Sequence, residues 1–369
     1  MINYLLLISM YSIMIIPGRN ITNYNQKRII TFLLLLPAFL LIAFRNVSVG
    51  SDTFAYYSNY INLGNYDSIT TPLSKTWMEP GYIFLAYYFS HFGLDYYYFQ
   101  FLITAVYFFS TYKLIIKYSY NIGTSCFLFV TLGCMFGMMN QTRMWLSIAI
   151  VMFSLQYIVD RKLLNFIIII ILASTIHVSS LVFLFAYPIC ILIEKDLYKY
   201  SFMIICLSGL VLLAGSPFLM KVTELTNHYS IYTSSESTGF RLAAVLNLMI
   251  NLGIFIMVFQ SEKHNIRNDF ADSAVKPSFN STTINLMFSL MTFGISIVEL
   301  SNSYISRLLY FYSFPLVFVL ANVIENNKDW RLRYFSKLAI IACFTLKTFI
   351  VLKYRPQWDS VLPYSFYWE

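Results

Sequence analysis

Long apolar runs separated by short polar connections make up most of this chain. A membrane-spanning helix needs about 17–25 mostly apolar residues. Runs of that kind, several a little short, fall at residues 3–17, 29–44, 97–116, 122–139, 144–159, 163–176, 179–193, 202–220, 242–259, 283–300, 308–324 and 338–352. The pattern predicts an all-α integral membrane protein with about twelve transmembrane helices. No fixed-period repeat interrupts it and no stretch reads as a soluble domain. The expectation is one polytopic domain over 1–369, with outer loops at 45–81 and 221–241. The first run, MINYLLLISMYSIMIIP, has no basic n-region and no small-residue cleavage site. It is read as a retained first span rather than a signal peptide.

The longest polar interruption in the first half is Arg45–Gly81. It opens RNVSVGSDTFAYY and closes MEPGY. Loops of this length are functional or disordered. This one carries Arg45, Gly50 and Asp52 in close register, an isolated Glu79 before Pro80, and aromatics between them. That composition suits a folded surface patch. The following stretch, 82–93, is apolar but short and carries Ser90 and His91.

Charge decides the status of 82–93. If it does not cross, six connections fall on one side. These are the ones near Arg19/Lys27/Arg28, Lys113/Lys117, Arg161/Lys162, Lys195/Lys199, Lys263/Arg267/Lys276 and Lys328/Arg331/Arg333/Lys337. They hold 16 of the 25 basic residues. Basic residues concentrate in cytoplasmic loops, so that side is cytoplasmic and both termini lie outside. A crossing at 82–93 would set the first connection against the other five. The stretch is therefore expected to be a re-entrant or interfacial helix.

Composition agrees. The chain is 58% hydrophobic and 11% charged, with mean hydropathy +0.65, against about 25% charge in soluble domains. The net charge of +8 follows from the cytoplasmic bias and implies no nucleic-acid partner. The five cysteines, Cys126, Cys134, Cys190, Cys206 and Cys343, lie inside apolar runs without paired spacing. They read as small buried hydrophobes, not as disulfides or a zinc site.

On this topology Arg45, Asp52, Glu79, Arg143, His177, Arg241 and Arg307 all reach the outer face. Arg143 stands alone in NQTR, His177 in STIHVSS, and Arg307 opens RLLYFYSF. Isolated ionisable groups at membrane depth mark functional sites by default. Each also has a plainer reading. The arginines can be interfacial anchors that snorkel to headgroups. His177 can satisfy a carbonyl in a tight helical hairpin. Asp52 can be a turn residue and Glu79 an N-cap neighbour. Their joint placement on one face favours function.

Several arginines with one histidine suit a phosphate-rich ligand, because guanidinium forks match phosphate oxygens. The outer face offers no ATP, so an activated substrate must bring its own leaving group. A lipid-linked sugar pyrophosphate does so. His177, with Glu79 or Asp52 as second choices, can then act as general base toward a sugar hydroxyl. No metal motif, Walker loop, Rossmann glycine pattern or GxSxG motif is present, so no cofactor or metal is expected.

RNVSVGSD (45–52), the tyrosines after it, EPGY (79–82), NQTR (140–143), the pair Arg161–Lys162 and ASTIHVSSLVF (173–183) occur in the order typical of one family. The chain resembles the EpsG family, bacterial polysaccharide proteins similar to Wzy-type O-antigen and capsule polymerases. The resemblance covers roughly residues 30–190. Beyond that it rests on SRLLYFY (306–312) and, more weakly, PY (363–364). It departs at Met144, where the family often has Gln, and at Ser147, where it often has Ala.

The resemblance implies a metal-independent glycosyltransferase with a GT-C-like helical fold in the bacterial cytoplasmic membrane. Such an enzyme moves the growing glycan from undecaprenyl pyrophosphate to the non-reducing end of a new lipid-linked repeat unit. It serves O-antigen, capsule, lipopolysaccharide or exopolysaccharide synthesis, with a chain-length regulator as a further partner. Arg45, Asp52, Glu79, Arg143 and His177 match family positions, and Arg307 matches less closely. An O-antigen ligase shares the donor and is the nearest alternative. A flippase for the same lipid would place charge along a mid-bilayer cavity, whereas only Lys347 lies well inside a run. An acyltransferase and a non-enzymatic scaffold are the remaining readings.

Overall fold

The structure is a computed structural model that describes residues 1–17, 21, 23–76, 78–197, 242–269, 281–300 and 306–369. For 196–197, 242 and 263–269 it describes the backbone alone. The described residues are helical except for connections and one isolated antiparallel bridge, Arg45 with Phe366. Seven of their helices are long and apolar enough to cross a membrane, or up to nine if each of two bent pairs is one span.

The twelve runs expected from hydropathy map onto this set with differences. Seven coincide with the long helices. Two coincide with the bent pairs Ile122–Thr131 with Cys134–Asn140 and Ser306–Ser313 with Leu316–Asn326. Two coincide with the shorter apolar helices Ile2–Met14 and Leu163–Ser174. The run at 202–220, the outer loop 221–241 and Arg241 lie outside the described residues. Length and composition thus support seven to nine spans among the described residues. The first bent pair turns by 48° at Gly133, whose φ of +91° is a left-handed conformation that glycine adopts without steric cost.

Two compact units are present. The first comprises 1–154, 168–180 and 317–369, the second 155–167 and 181–316. Polar residues close the helix ends of the first unit. Asn23 caps Tyr24–Ala43 through the N–H groups of Asn25 and Gln26, Asn121 caps Ile122–Thr131 through Thr124, and Asp329 caps Trp330–Tyr354 through Arg331. Each cap satisfies amides that a helix start leaves open.

Two polar networks within the first unit show which helix ends lie together. In one, the buried Glu325 accepts from Asn121 Nδ2 at 2.7 Å and pairs with Lys337 at 2.5 Å. Asn121 and Lys337 also donate to the carbonyl of Ile15. In the other, the C-terminal segment returns to the 45–52 loop. Gly50 N–H donates to Ser360 O, Asn46 N–H to Ser365 O and Tyr367 N–H to Phe44 O. Tyr4 hydroxyl donates to Val361 O. The start of the first helix and the C-terminal segment therefore meet at one end of the first unit.

The 45–81 interruption is folded, as its aromatic content suggests. It forms helices Thr53–Gly64 and Thr70–Lys75, which hydropathy did not predict because neither needs a continuous apolar run. Helix Pro80–His91 follows. Its 12 residues rise about 18 Å at 1.5 Å each, too short for a hydrocarbon core of about 30 Å. Of the cysteines, Cys126, Cys134 and Cys190 are buried and Cys343 is exposed. That corrects the expectation that every cysteine packs inside: an apolar run in a membrane protein includes its outward face. Cys206 lies outside the described residues.

Candidate functional site

Glu79, Arg143 and His177 come together in the first unit. Glu79 precedes helix Pro80–His91. A residue before proline is held extended, and Glu79 has φ −66° and ψ 145°. Its carboxylate makes no cap bond with its own helix. Oε1 instead accepts from His177 Nδ1 at 2.7 Å and from Val178 N–H at 3.2 Å. Oε2 pairs with Arg143 Nη1. Burial alone would push the Glu79 carboxyl up. The His177 hydrogen bond and the Arg143 charge outweigh it, so the group titrates below its ordinary range and is ionised at neutral pH.

Gly81 makes this approach possible. Its N–H donates to Thr175 O at 2.7 Å. A Cβ there would stand 2.4 Å from Thr175 Oγ1 and 2.7 Å from that carbonyl, so no larger residue fits without moving one strand of the contact. The start of the helix is thereby pinned to the turn that holds His177. That turn is tight: Thr175, Ile176 and His177 N–H groups close back on Leu172 and Ala173 carbonyls before 3-10 helix Val178–Phe185 begins. The sequence reading of a hairpin histidine holds for the backbone, but the ring meets a carboxylate rather than a carbonyl.

Arg143 is the second residue of helix Thr142–Met152, whose N-cap Gln141 makes no side-chain cap bond. The break before it is fixed from two sides. Tyr107 hydroxyl donates to Thr142 O at 2.7 Å. Asn140 Oδ1 accepts from Ser51 Oγ at 2.7 Å and Asp52 N–H at 3.1 Å. The guanidinium carbon lies 5.8 Å from the Tyr56 ring centroid and 5.9 Å from that of Tyr82, a cation–π spacing. Tyr56 also hydrogen-bonds Arg143. Arg143, Glu79 and His177 side chains are 6%, 14% and 10% exposed. The cluster is largely shielded from water yet not sealed.

The other expected site residues stand elsewhere. Arg45 is 1% exposed and donates inward to Ile42 O at 2.6 Å. Burial pulls its proton affinity down, and Tyr96, Tyr107, Tyr364 and Tyr4 oppose that. Its guanidinium makes no hydrogen bond to Glu79 or His177. Asp52, half-buried, starts helix Thr53–Gly64 without capping it. Its loop anchors Asn140 instead. Gly50, at φ +98°, lets that loop pass Met139 O, which a Cβ would approach to 2.5 Å. Arg307 is half-buried at the start of Ser306–Ser313 in the second unit, and Arg241 lies outside the described residues. Arg161 pairs with Glu194 in the second unit.

Sequence reasoning passed over Tyr56, Tyr82, Gly81 and Asn140 as participants, although all four lie in or beside the segments it singled out. It also missed Asp359. Burial pushes that carboxyl up, against an Asn140 hydrogen bond and the charge of Lys347. No signal short of the fold could join residue 359 to residue 140.

An arginine and a histidine bridged by one ionised carboxylate, at the start of a helix, can offer a cation to an anionic group and a basic imidazole nitrogen beside it. The EpsG family model matches residues 28–366. The chain belongs to the EpsG family. No curated protein and no solved structure matches it. Membership supports a polysaccharide polymerase-type, glycosyltransferase-like role in general terms, and the apolar helices support a multi-pass membrane protein.

Proposed function

We propose that this EpsG-family chain polymerises undecaprenyl-pyrophosphate-linked oligosaccharide repeat units at the outer face of the bacterial cytoplasmic membrane. The growing glycan passes from its carrier to a sugar hydroxyl of a newly delivered lipid-linked unit. The single observation that carries this reading is the Glu79–Arg143–His177 cluster at the start of helix Thr142–Met152. Helix N-termini favour anions because their amides and dipole face the ligand. Arg143 adds a guanidinium suited to a pyrophosphate oxygen.

In this scheme the acceptor hydroxyl oxygen bonds to the anomeric carbon of the donor glycan. The bond from that carbon to the pyrophosphate oxygen breaks, and its electron pair leaves with the polyprenyl pyrophosphate. Arg143 stabilises the charge that develops there. The hydroxyl proton passes to His177, the general base. Arg45 adds a buried positive charge behind the tyrosines, and Arg307 and Arg241 are assigned to the donor pyrophosphate from their places in the sequence alone. Asp52 shapes the outer loop. Twelve crossings of a GT-C-like fold, one polytopic domain and a chain-length regulator as partner belong to the same proposal.

Purified protein in lipid nanodiscs, given a synthetic polyprenyl-pyrophosphate repeat unit, should produce a ladder of products. One polyprenyl pyrophosphate should be released per unit added. Release without a ladder would point to hydrolysis and sink the polymerase reading. Sidedness is tested separately. Cysteines placed at 52 and 161 in a cysteine-free background should react with an impermeant reagent from outside at 52 only, on the 16-to-9 split of basic residues. The reverse labelling would invert the topology.

A further inference from the structure

The two oxygens of Glu79 do different work. Val178 N–H can only donate, so Oε1 is an acceptor. His177 Nδ1 shares that oxygen at 2.7 Å. With the carboxylate ionised, Nδ1 must carry the hydrogen. A neutral imidazole has one N–H, so the lone pair of His177 then lies on Nε2, which makes no hydrogen bond to the described residues. Oε2 is committed to Arg143. One carboxylate thus divides its charge between the proposed anion-binding group and the proposed base.

We propose that Glu79 is a positioning residue that couples donor binding to the base, an inference that rests on the polymerase reading above. It fixes the Nδ1–H tautomer, so Nε2 receives the acceptor proton. When a donor pyrophosphate occupies the Arg143 guanidinium, the Arg143–Glu79 pair loosens and more of the carboxylate charge faces His177. The imidazolium that forms as the hydroxyl proton moves to Nε2 is then stabilised most when donor is present. Proton balance is complete: the hydroxyl proton goes to Nε2 and is released to water after the lipid pyrophosphate departs. A hydroxyl activated before donor arrival would be wasted, and this arrangement ties activation to donor occupancy.

Among the described residues, Glu79 meets the His177 ring directly and the other nearby charged and titratable groups join it through Arg143. Helix Pro80–His91 and the residue before it supply Glu79 and Tyr82. Helix Thr142–Met152 supplies Arg143, which meets the ring through Glu79. Helix Thr53–Gly64 supplies Tyr56, which contacts Arg143. Among the described residues Glu79 is the one carboxylate that meets the imidazole, so its removal should dominate any change in the pH response.

The test compares wild type, Glu79→Gln, Glu79→Asp and His177→Ala in the nanodisc polymerisation assay across pH. Glu79→Gln keeps the shape but removes the charge. Its acid limb should move to lower pH, because the carboxylate that meets Nδ1 has lost its charge, with turnover reduced at least tenfold. Glu79→Asp restores the charge, so its acid limb should return toward wild type even while turnover stays low. Site-resolved deuterium exchange at the His177 C2–H, read by mass spectrometry, follows the same titration in inactive variants. In wild type, adding inorganic pyrophosphate should raise the midpoint, and in Glu79→Gln it should raise it less. An acid limb and an exchange midpoint that are unchanged in Glu79→Gln would overturn the inference. If His177→Ala polymerises normally, the base assignment itself fails. If His177→Ala is inactive while Glu79→Gln titrates like wild type, only the coupling fails.

Discussion

Arg143→Lys should lose chain extension almost as completely as Arg143→Ala, although it conserves the charge. The guanidinium reaches Glu79 Oε2 while lying against Tyr56 and Tyr82. An ammonium is a point charge without the fork or the planar face. It can hold the carboxylate or the pyrophosphate, but not both in the same geometry. Losing one such donor to a developing anion typically costs about 10²–10³-fold in rate. In cells this should appear as single repeat units on the carrier lipid. Breaking a buried ion pair can itself destabilise by about 3–5 kcal/mol, so membrane abundance must be measured beside the product. Arg143→Lys is the informative variant because it leaves Glu79 facing a cation. Full-length ladders from Arg143→Lys at normal abundance would remove Arg143 from the donor site.

His177→Ala carries the second large effect. The ring is held by Glu79 through Nδ1, leaving Nε2 as the basic nitrogen. Loss of a general base typically costs about 10²–10⁴-fold. Stability should suffer less than at Arg143, because Glu79 keeps Arg143 and the Val178 N–H. His177→Gln offers a check on that separation. It can still donate to Oε1 and preserve the fold, yet it offers no basic nitrogen. Both variants should be inactive at normal abundance. Activity in His177→Gln with none in His177→Ala would show that the histidine acts only by holding Glu79.

Helical class and most crossings were legible in hydropathy, because burial of backbone in lipid forces long apolar runs. The bend at Gly133 and the short helices Thr53–Gly64 and Thr70–Lys75 were not, since neither changes the apolar count. Glu79, Arg143 and His177 were each visible as isolated ionisable groups beside apolar runs. Their mutual contact was not, as it depends on the Gly81–Thr175 approach and the Asn140 anchor across distant segments. Arg45 is expected to assist at the pyrophosphate, and its Nη1 donates to Ile42 O. Sequence distinguishes a charge near a span end from one remote from it, not which way a single rotation directs it. Arg307 stands in the second unit, and Arg241 lies outside the described residues.

The central claim is that this cluster joins lipid-linked repeat units into chains. A deletion strain, complemented with wild type or with Arg143→Ala/His177→Ala at matched abundance, tests it most directly by a gel profile of surface polysaccharide. The account predicts a full ladder with wild type and single repeat units with the double variant. A full ladder from the double variant would contradict it. Long chains left on the carrier lipid after deletion would also contradict it, and would point to a ligase instead.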